Sequence, residues 1–209
     1  MTFCDCKIDA LRDKVKKSMS EFRFNHTAGV EKMAIRLGEL YAPDMIPTLR
    51  VAALLHDITK ELSVEQQVKI LEDAGDHVTD LDKASYKTLH ARTAVIVIQK
   101  DYPEFADETV LNAVRYHTVG RADMSLCECI IFLADYIDES RKFENCVYLR
   151  NYFWDADPKN MSDFKRVEHL MRTLVLAFDL TMSGLIKESA PISVDSVEAR
   201  NSIILKLKA

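Results

Sequence analysis

From Asn25 to Leu40 the apolar residues Val30, Met33, Leu37 and Leu40 fall three and four apart. That spacing gathers them on one face of a helix but would scatter them over both faces of a strand, so it predicts an amphipathic helix. The same rhythm returns along most of the chain. With only five glycines and five prolines in 209 residues, there are too few turn formers for the hairpins of a β-sandwich or barrel. The fold class predicted is all-α: one helical domain with a C-terminal helical extension, long enough to bury a single core.

Pro43 and Pro47 bracket a turn before a helix over 48–60, whose apolar run ends in His56-Asp57. Ser63 and Gln66 form a capping pattern for a short helix through Leu71, closed by Gly75. GDHVTDLDKASYK reads as a polar connector. Helices then follow over His90–Lys100, from Asp107 through Tyr116, and over Met124–Arg141, the last two separated by the loop HTVGRAD. Beyond Pro158, an apolar stripe of Phe164, Val167, Met171, Leu174, Val175 and Phe178 predicts a helix packed on the body, and Asp195-x-x-Glu198 predicts the cap of a last one. The organisation expected is a lead-in over 1–19, a core over 20–150 and C-terminal helices packed on it over 151–209.

The charge balance limits the partners. Lys and Arg number 28 against 33 Asp and Glu, a net −5 with no block of like charges, which gives no support to a role on nucleic acid or at a membrane surface. Apolar runs such as CIIFLA at 129–134 fall far short of a membrane span. The five cysteines are odd in number, and Cys4/Cys6 and Cys127/Cys129 are spaced C-x-C, so they are read as reduced thiols of a cytoplasmic chain.

The ionisable residues at the ends of apolar runs carry the functional signal. His26 has Val30 one turn on, His56 has Ala52 and Ala53 one turn back, His90 has Ala94 one turn on, and His117 has Ala113 and Val114 one turn back. Asp135 has Ile131 and Phe132 one turn back. Residues three and four apart share a helix face, so these groups point inward. His77, in the connector, and His169, among Lys165, Arg166 and Arg172, are read as surface residues. A lone inward histidine is most simply a core imidazole bonded to a carbonyl, but four of them with Asp57 and Asp135 need a common partner, and metal is the simplest one.

Six N and O ligands exceed the three that a lone catalytic zinc takes, and a carboxylate can bridge two ions about 3.5–4 Å apart. Asp57 is the natural bridge. Imidazole and carboxylate suit Fe, Mn, Co or Zn, so the donors do not name the metal. Arg23, three before His26, and Lys60, four after His56, share faces with those ligands, whereas Arg115 and Arg121 are read as solvated charges. A metal pair ringed by cations suits phosphate chemistry.

Taken in order, FRFNHTAGVEKMA, AALLHDITK, LHARTA, AVRYHTVGRADMS and IIFLADYIDESRKFENCVYLR resemble the YqeK-type HD proteins, the bacterial symmetrical diadenosine tetraphosphate hydrolases, over about residues 20–185. The resemblance implies an all-α HD-domain bundle, a di-iron centre and cleavage of diadenosine tetraphosphate (Ap4A) to two ADP. Carried over by position, His26, His56, Asp57 and Asp135 would hold one ion, and Asp57, His90 and His117 the other. Asp57 and Lys60 would be catalytic, while Lys60, Thr118, Gly120 and Arg141 would lie near the nucleotide phosphates, with Arg23 beside them. The chain departs from the family pattern at Asp138-Glu139, where a glutamate followed by proline is usual, and at Asn25. The partner expected is a small nucleotide, with no nucleic acid and no membrane; a homodimer is compatible with the sequence. The alternatives are another HD nucleotidase, acting on a mononucleotide or an alarmone, and a non-catalytic nucleotide sensor.

Overall fold

Where the sequence places Ser20 ahead of the first long apolar stripe, its hydroxyl accepts a hydrogen bond from the Arg23 N–H and starts a helix. The computed structural model, which describes residues 3–208, extends that helix, α2, over Glu21–Tyr41; α1 (Asp5–Ser18) precedes it. There follow α3 (Ile46–Leu55), α4 (Val64–Asp73), α5 (Asp80–Ala84), α6 (Leu89–Asp101), α7 (Glu108–Tyr116), α8 (Leu126–Ile137), α9 (Glu144–Asp155), α10 (Asp163–Lys187) and α11 (Val194–Lys208). Among the described residues there is no strand, as the chain's turn-poor composition predicts.

One apolar core runs from Ile8 and Val15 of α1 through Leu37, Leu54 and Ile130 to Phe178 of α10 and Ile203 of α11. The lead-in and the C-terminal helices therefore bury their apolar faces in the same core as the middle of the chain. α2, α3, α7 and α8 pack on one another at its centre, and α1 lies against α3. That last contact is held by buried Glu31, which accepts from Arg12 at 2.6 Å and from Arg50 at 3.0 Å. Two opposed cations compensate its desolvation.

Several boundaries differ from the expectations. The helix predicted over 48–60 stops at Leu55 and continues as turns, in which Ile58 and Lys60 N–H groups bond back three residues. The connector contains α5, opened by a capping box between Thr79 and Asp82. The last helix begins at Val194, so Asp195 sits in its first turn and does not cap it. The helix predicted over 124–141 is split. α8 ends at Ile137, where Asp138 turns extended (ψ 151°) and its carboxylate accepts from the Ser140 N–H at 2.8 Å. An Asp that bonds the backbone two residues on offers the chain a turn in place of another helical bond. Arg150 of α9 secures the turn, donating to Ile137 O at 2.9 Å and Arg141 O at 2.7 Å.

On α10 the buried face is Leu170, Thr173, Leu174, Ala177 and Phe178, while Phe164 and Val167 lie exposed. The predicted stripe is rotated because α9 covers the side that carries position 169. His169, expected at the surface, is buried there: its ring stacks on Tyr152 and Phe153, and its Nε2–H donates to Phe153 O at 3.0 Å. By length and composition alone α10 could cross a membrane, but it packs on α8, α9 and α11 as a core helix.

Candidate metal centre

Both α3 and α7 end on a histidine. His56 and His117 are the C-terminal cap residues, and each imidazole turns back so that its Nδ1–H donates to the carbonyl three residues earlier, Ala53 O at 2.7 Å and Val114 O at 2.6 Å. These bonds fix the tautomer and leave both Nε2 lone pairs facing inward. α2 brings His26, α6 brings His90 from its first turn, and α8 brings Asp135 one turn from its end. Asp57, just past the end of α3, lies between them all.

The two Asp57 oxygens face different partners. Oδ1 lies 3.1 Å from His90 Nε2 and 3.7 Å from His117 Nε2; Oδ2 lies 3.5 Å from His56 Nε2 and 3.7 Å from His26 Nε2. On the Oδ2 side, Asp135 Oδ1 stands 3.0 Å from His26 Nε2 and 3.8 Å from His56 Nε2. Two close-set ligand triads result, His26/His56/Asp135 and His56/Asp57/His117. The donor set fits metal on a specific observation: His56 Nε2, its lone pair turned inward, is buried with no hydrogen bond, the nearest carboxylate oxygen 3.5 Å away. An orphaned buried nitrogen of this kind is costly unless a cation takes its lone pair.

The electrostatics agree. Burial would raise the Asp57 carboxyl pKa, but His56, His117 and His90 outweigh it and hold the group ionised, well below the usual carboxylate range. Burial acts likewise on Asp135 and is overcome by Arg141 and His26. Burial brings His90 down to about 4, neutral and able to ligate. His26 is the exception: burial would lower it, yet the adjacent Asp135 and Asp138 carboxylates raise it to about 9. Without metal, its proton supplies a positive charge between two carboxylates.

Cations ring the carboxylates. Arg23 donates to Asp57 Oδ2 at 2.6 Å. Lys60 Nζ reaches His90 Nδ1 and Lys87 O, both at 3.1 Å, and burial lowers its pKa. Arg141 donates to the Asp135 carboxylate and main-chain carbonyl. On one side the centre opens into a cavity of about 480 Å³ bordered by Lys60, His117, Thr118, Asp135 and Arg141. On the other it opens into a mouth of about 610 Å³ between Phe22, Arg23, His26, Arg141 and Phe143.

Residues 23–140 match the model of the HD domain family. The chain belongs to the HD domain family. This HD protein is 30% identical to the symmetrical bis(5'-nucleosyl)-tetraphosphatase of Halalkalibacterium halodurans, the alignment covering 93% of this chain and 95% of that one. It is also 30% identical to the enzyme of that name from Bacillus subtilis, over 91% and 94% of the two chains. A crystal structure from Clostridium acetobutylicum, described as a predicted HD superfamily hydrolase involved in NAD metabolism, superposes with a TM-score of 0.80 at 30% identity, covering 99% of this chain and 100% of that one.

The HD fold thus gathers His26, His56, Asp57, His90, His117 and Asp135 in one cluster, buried except for the half-buried Asp135, with Arg23, Lys60 and Arg141 at its edge. Thr118 borders the cavity, its buried hydroxyl without a partner. Gly120 lies in the turn behind it at φ 68°, against Phe178 and Ala199. Arg115 is away from the cluster, and Arg121 pairs with Glu128 at 2.8 Å. Sequence reasoning missed the supporting residues. Asp138 accepts from His26 Nδ1–H at 3.2 Å, and Thr59 donates to His90 O at 2.9 Å. Asp138 was visible only as a departure from the family pattern. Nothing in spacing marked Thr59 or Arg150.

Proposed function

We propose that this chain hydrolyses diadenosine tetraphosphate symmetrically, giving two ADP, with two divalent metal ions as cofactor. Iron is the first candidate, and Mn, Co and Zn are compatible with the same donors. The observation that carries the reading is Asp57, whose two oxygens face two separate groups of imidazole nitrogens at the base of a cation-lined cavity. The names borne by the relatives supply the substrate, and the arrangement of the site suits it.

His26, His56, Asp57 and Asp135 would hold one ion, and Asp57, His90 and His117 the other. When bound, the ions would lower the pKa of water towards roughly 7 and offset charge on phosphoryl oxygens. The protein's own groups do the rest. The Nδ1 bonds to Ala53 O and Val114 O keep His56 and His117 aimed. Lys60 and Arg141 stand where the phosphate chain would enter and would neutralise charge on the departing ADP. Arg23, bonded to Asp57, bears on the opposite end of the chain. All five cysteines are free, which suits a reducing cytoplasm.

Incubating the metal-loaded protein with Ap4A and resolving the products tests the proposal. Conversion to ADP alone, lost in Asp57→Ala, is the expected result. AMP plus ATP would exclude the symmetrical reaction, and absence of turnover by the wild type would favour a nucleotide sensor. Elemental analysis giving fewer than two ions per chain with every metal would overturn the dinuclear centre.

A further inference from the structure

The two C-x-C pairs share a spacing, but the fold sets them differently. Cys127 and Cys129 lie inside α8, where residues two apart point about 200° from each other, and both are buried. Cys4 is the N-cap of α1, with extended backbone (φ −77°, ψ 152°), and Cys6 lies in the first turn of that helix. Standing outside the helix frees the Cys4 side chain from the helical angle. Its Sγ lies 2.7 Å from Cys6 Sγ, and both thiols are exposed.

The contact is anchored on both sides. Phe3, directly before it, is buried with its ring 5.6 Å from that of Phe105 between centroids, and Ile8, one turn on, is wholly buried. Between the two thiols, Asp5 is tied to Arg50 at 2.5 Å, and Arg50 is bonded to buried Glu31. Cys4 O accepts from the Lys7 and Ile8 N–H groups at 3.1 and 3.2 Å, which closes the first turn beside the pair. The chain therefore holds two thiols together on a surface that solutes reach. The metal centre makes no use of them, since no residue of α1 borders either of its openings.

The separation selects the chemistry. Two thiolates on one tetrahedral zinc, each about 2.3 Å from it, stand about 3.8 Å apart, whereas a disulfide holds its sulfurs about 2.0 Å apart. At 2.7 Å the pair is set for a bond between the sulfurs. We propose that Cys4 and Cys6 form a reversible redox site, which exchanges with low-molecular-weight disulfides and closes to an intramolecular disulfide. The two thiols have unequal roles. Proximity to Cys6, and then to the Lys7 N–H, lowers the pKa of the Cys4 thiol, while the same contact raises that of Cys6. Cys4 is therefore the attacking thiolate. Its sulfur bonds to one sulfur of the reagent as the reagent's S–S bond breaks and one thiolate leaves. Cys6 then releases its proton to water and attacks Cys4 Sγ, so that the Cys4–Cys6 bond forms as the second reagent thiolate departs. The two cysteines lose two electrons and two protons, and the reagent takes them up to become two thiols.

Oxidised glutathione added to the reduced full-length protein at pH 8 tests the site. Thiols alkylated after denaturation should fall from five per chain to three, with the mass lower by two hydrogens, no glutathione retained, and the bridge placed within residues 4–6 by peptide mass spectrometry. Dithiothreitol should restore all five. Cys6→Ser lacks the second thiol and should stop at one glutathione on Cys4, whereas Cys4→Ser should react at least about tenfold more slowly. Five alkylated thiols in the treated wild type, glutathione retained on both cysteines, or chains linked in pairs by a disulfide would overturn the site, and none of these readouts depends on a variant. Cys4→Ser reacting as fast as Cys6→Ser would overturn the assignment of Cys4 as the attacking group.

Discussion

Asp138 is fully buried and its carboxylate does three things at once. It accepts from His26 Nδ1–H at 3.2 Å, accepts from the Ser140 N–H at 2.8 Å, and stands 3.6 Å from Arg141 Nε. An acceptor on the far nitrogen of a ligating imidazole fixes its tautomer and aim, and losing one costs about 10–100-fold in metal affinity. Asp138→Asn keeps an acceptor for Ser140 but removes the ionised partner of His26, so metal binding should weaken by that factor, about 1.4–2.7 kcal/mol. Gly29 offers a second route to the same carboxylate, through Oδ1, the oxygen that accepts from the Ser140 N–H. It lies three residues after His26 on the same face of α2, and a Cβ built there would be 2.7 Å from Asp138 Oδ1, too close for either atom to stay. Gly29→Ala should displace the carboxylate and reproduce the loss. Because both changes break one interaction, the double variant should be no weaker than either alone. The assay is metal titration of the apo-protein against a competing chelator, with thermal melting to confirm folding. Affinity within about twofold of wild type in Asp138→Asn, or strict additivity in the double variant, would refute the reasoning.

Gly120→Ala combines a left-handed residue with a collision against Phe178, at about 2–4 kcal/mol of stability, or roughly 4–16 °C in Tm by calorimetry. His169→Ala removes the ring held between Tyr152 and Phe153 together with its bond to Phe153 O; it should cost about 1–3 kcal/mol in denaturant unfolding and leave kcat with Ap4A unaltered. Cys4 and Cys6 are exposed, whereas Cys127, Cys129 and Cys146 are buried and burial pushes the thiols of the first two up to about 12. An alkylating reagent at pH 8 should therefore modify two thiols quickly in the native protein and five after denaturation.

The helices and the ligand cluster were legible because both depend on spacing. A residue one turn from a core position shares its face, and four histidines and Asp135 could be added up in this way, with Asp57 beside His56, without knowing how the helices cross. His169 shows the limit of that rule: its own helix offered polar neighbours, and only the arrival of α9 made its side an interior one. The stripe on α10 was misplaced for the same reason, since Phe164 and Val167 have the right period but nothing packed on them. Helix ends were harder still. Whether α8 stops at Ile137 or runs to Arg141 depends on a bond between Asp138 and Ser140 and on two bonds from Arg150, none of which has a sequence period.

Those helix ends are also where the site's precision comes from. A ligand in mid-helix inherits its direction from the helix, as His26 and Asp135 do. His56 and His117 lie at ends, where a free carbonyl one turn back can take the Nδ1 proton and orient the ring locally. Such a bond survives small shifts of the helix, so His56 and His117 are aimed by their own chain, whereas His26 is aimed by the distant Asp138. The two kinds of ligand should fail differently. Loosening the packing of α8 on α2 carries Asp138 away from His26 and weakens the half of the centre built on Asp135, while the half on His117 keeps its geometry. Substitutions that loosen the packing of α8 on α2 should therefore lower metal occupancy from the two ions proposed towards one before the fold melts, which elemental analysis along a series of core variants in these two helices can follow; simultaneous loss of both ions at every step would contradict this division.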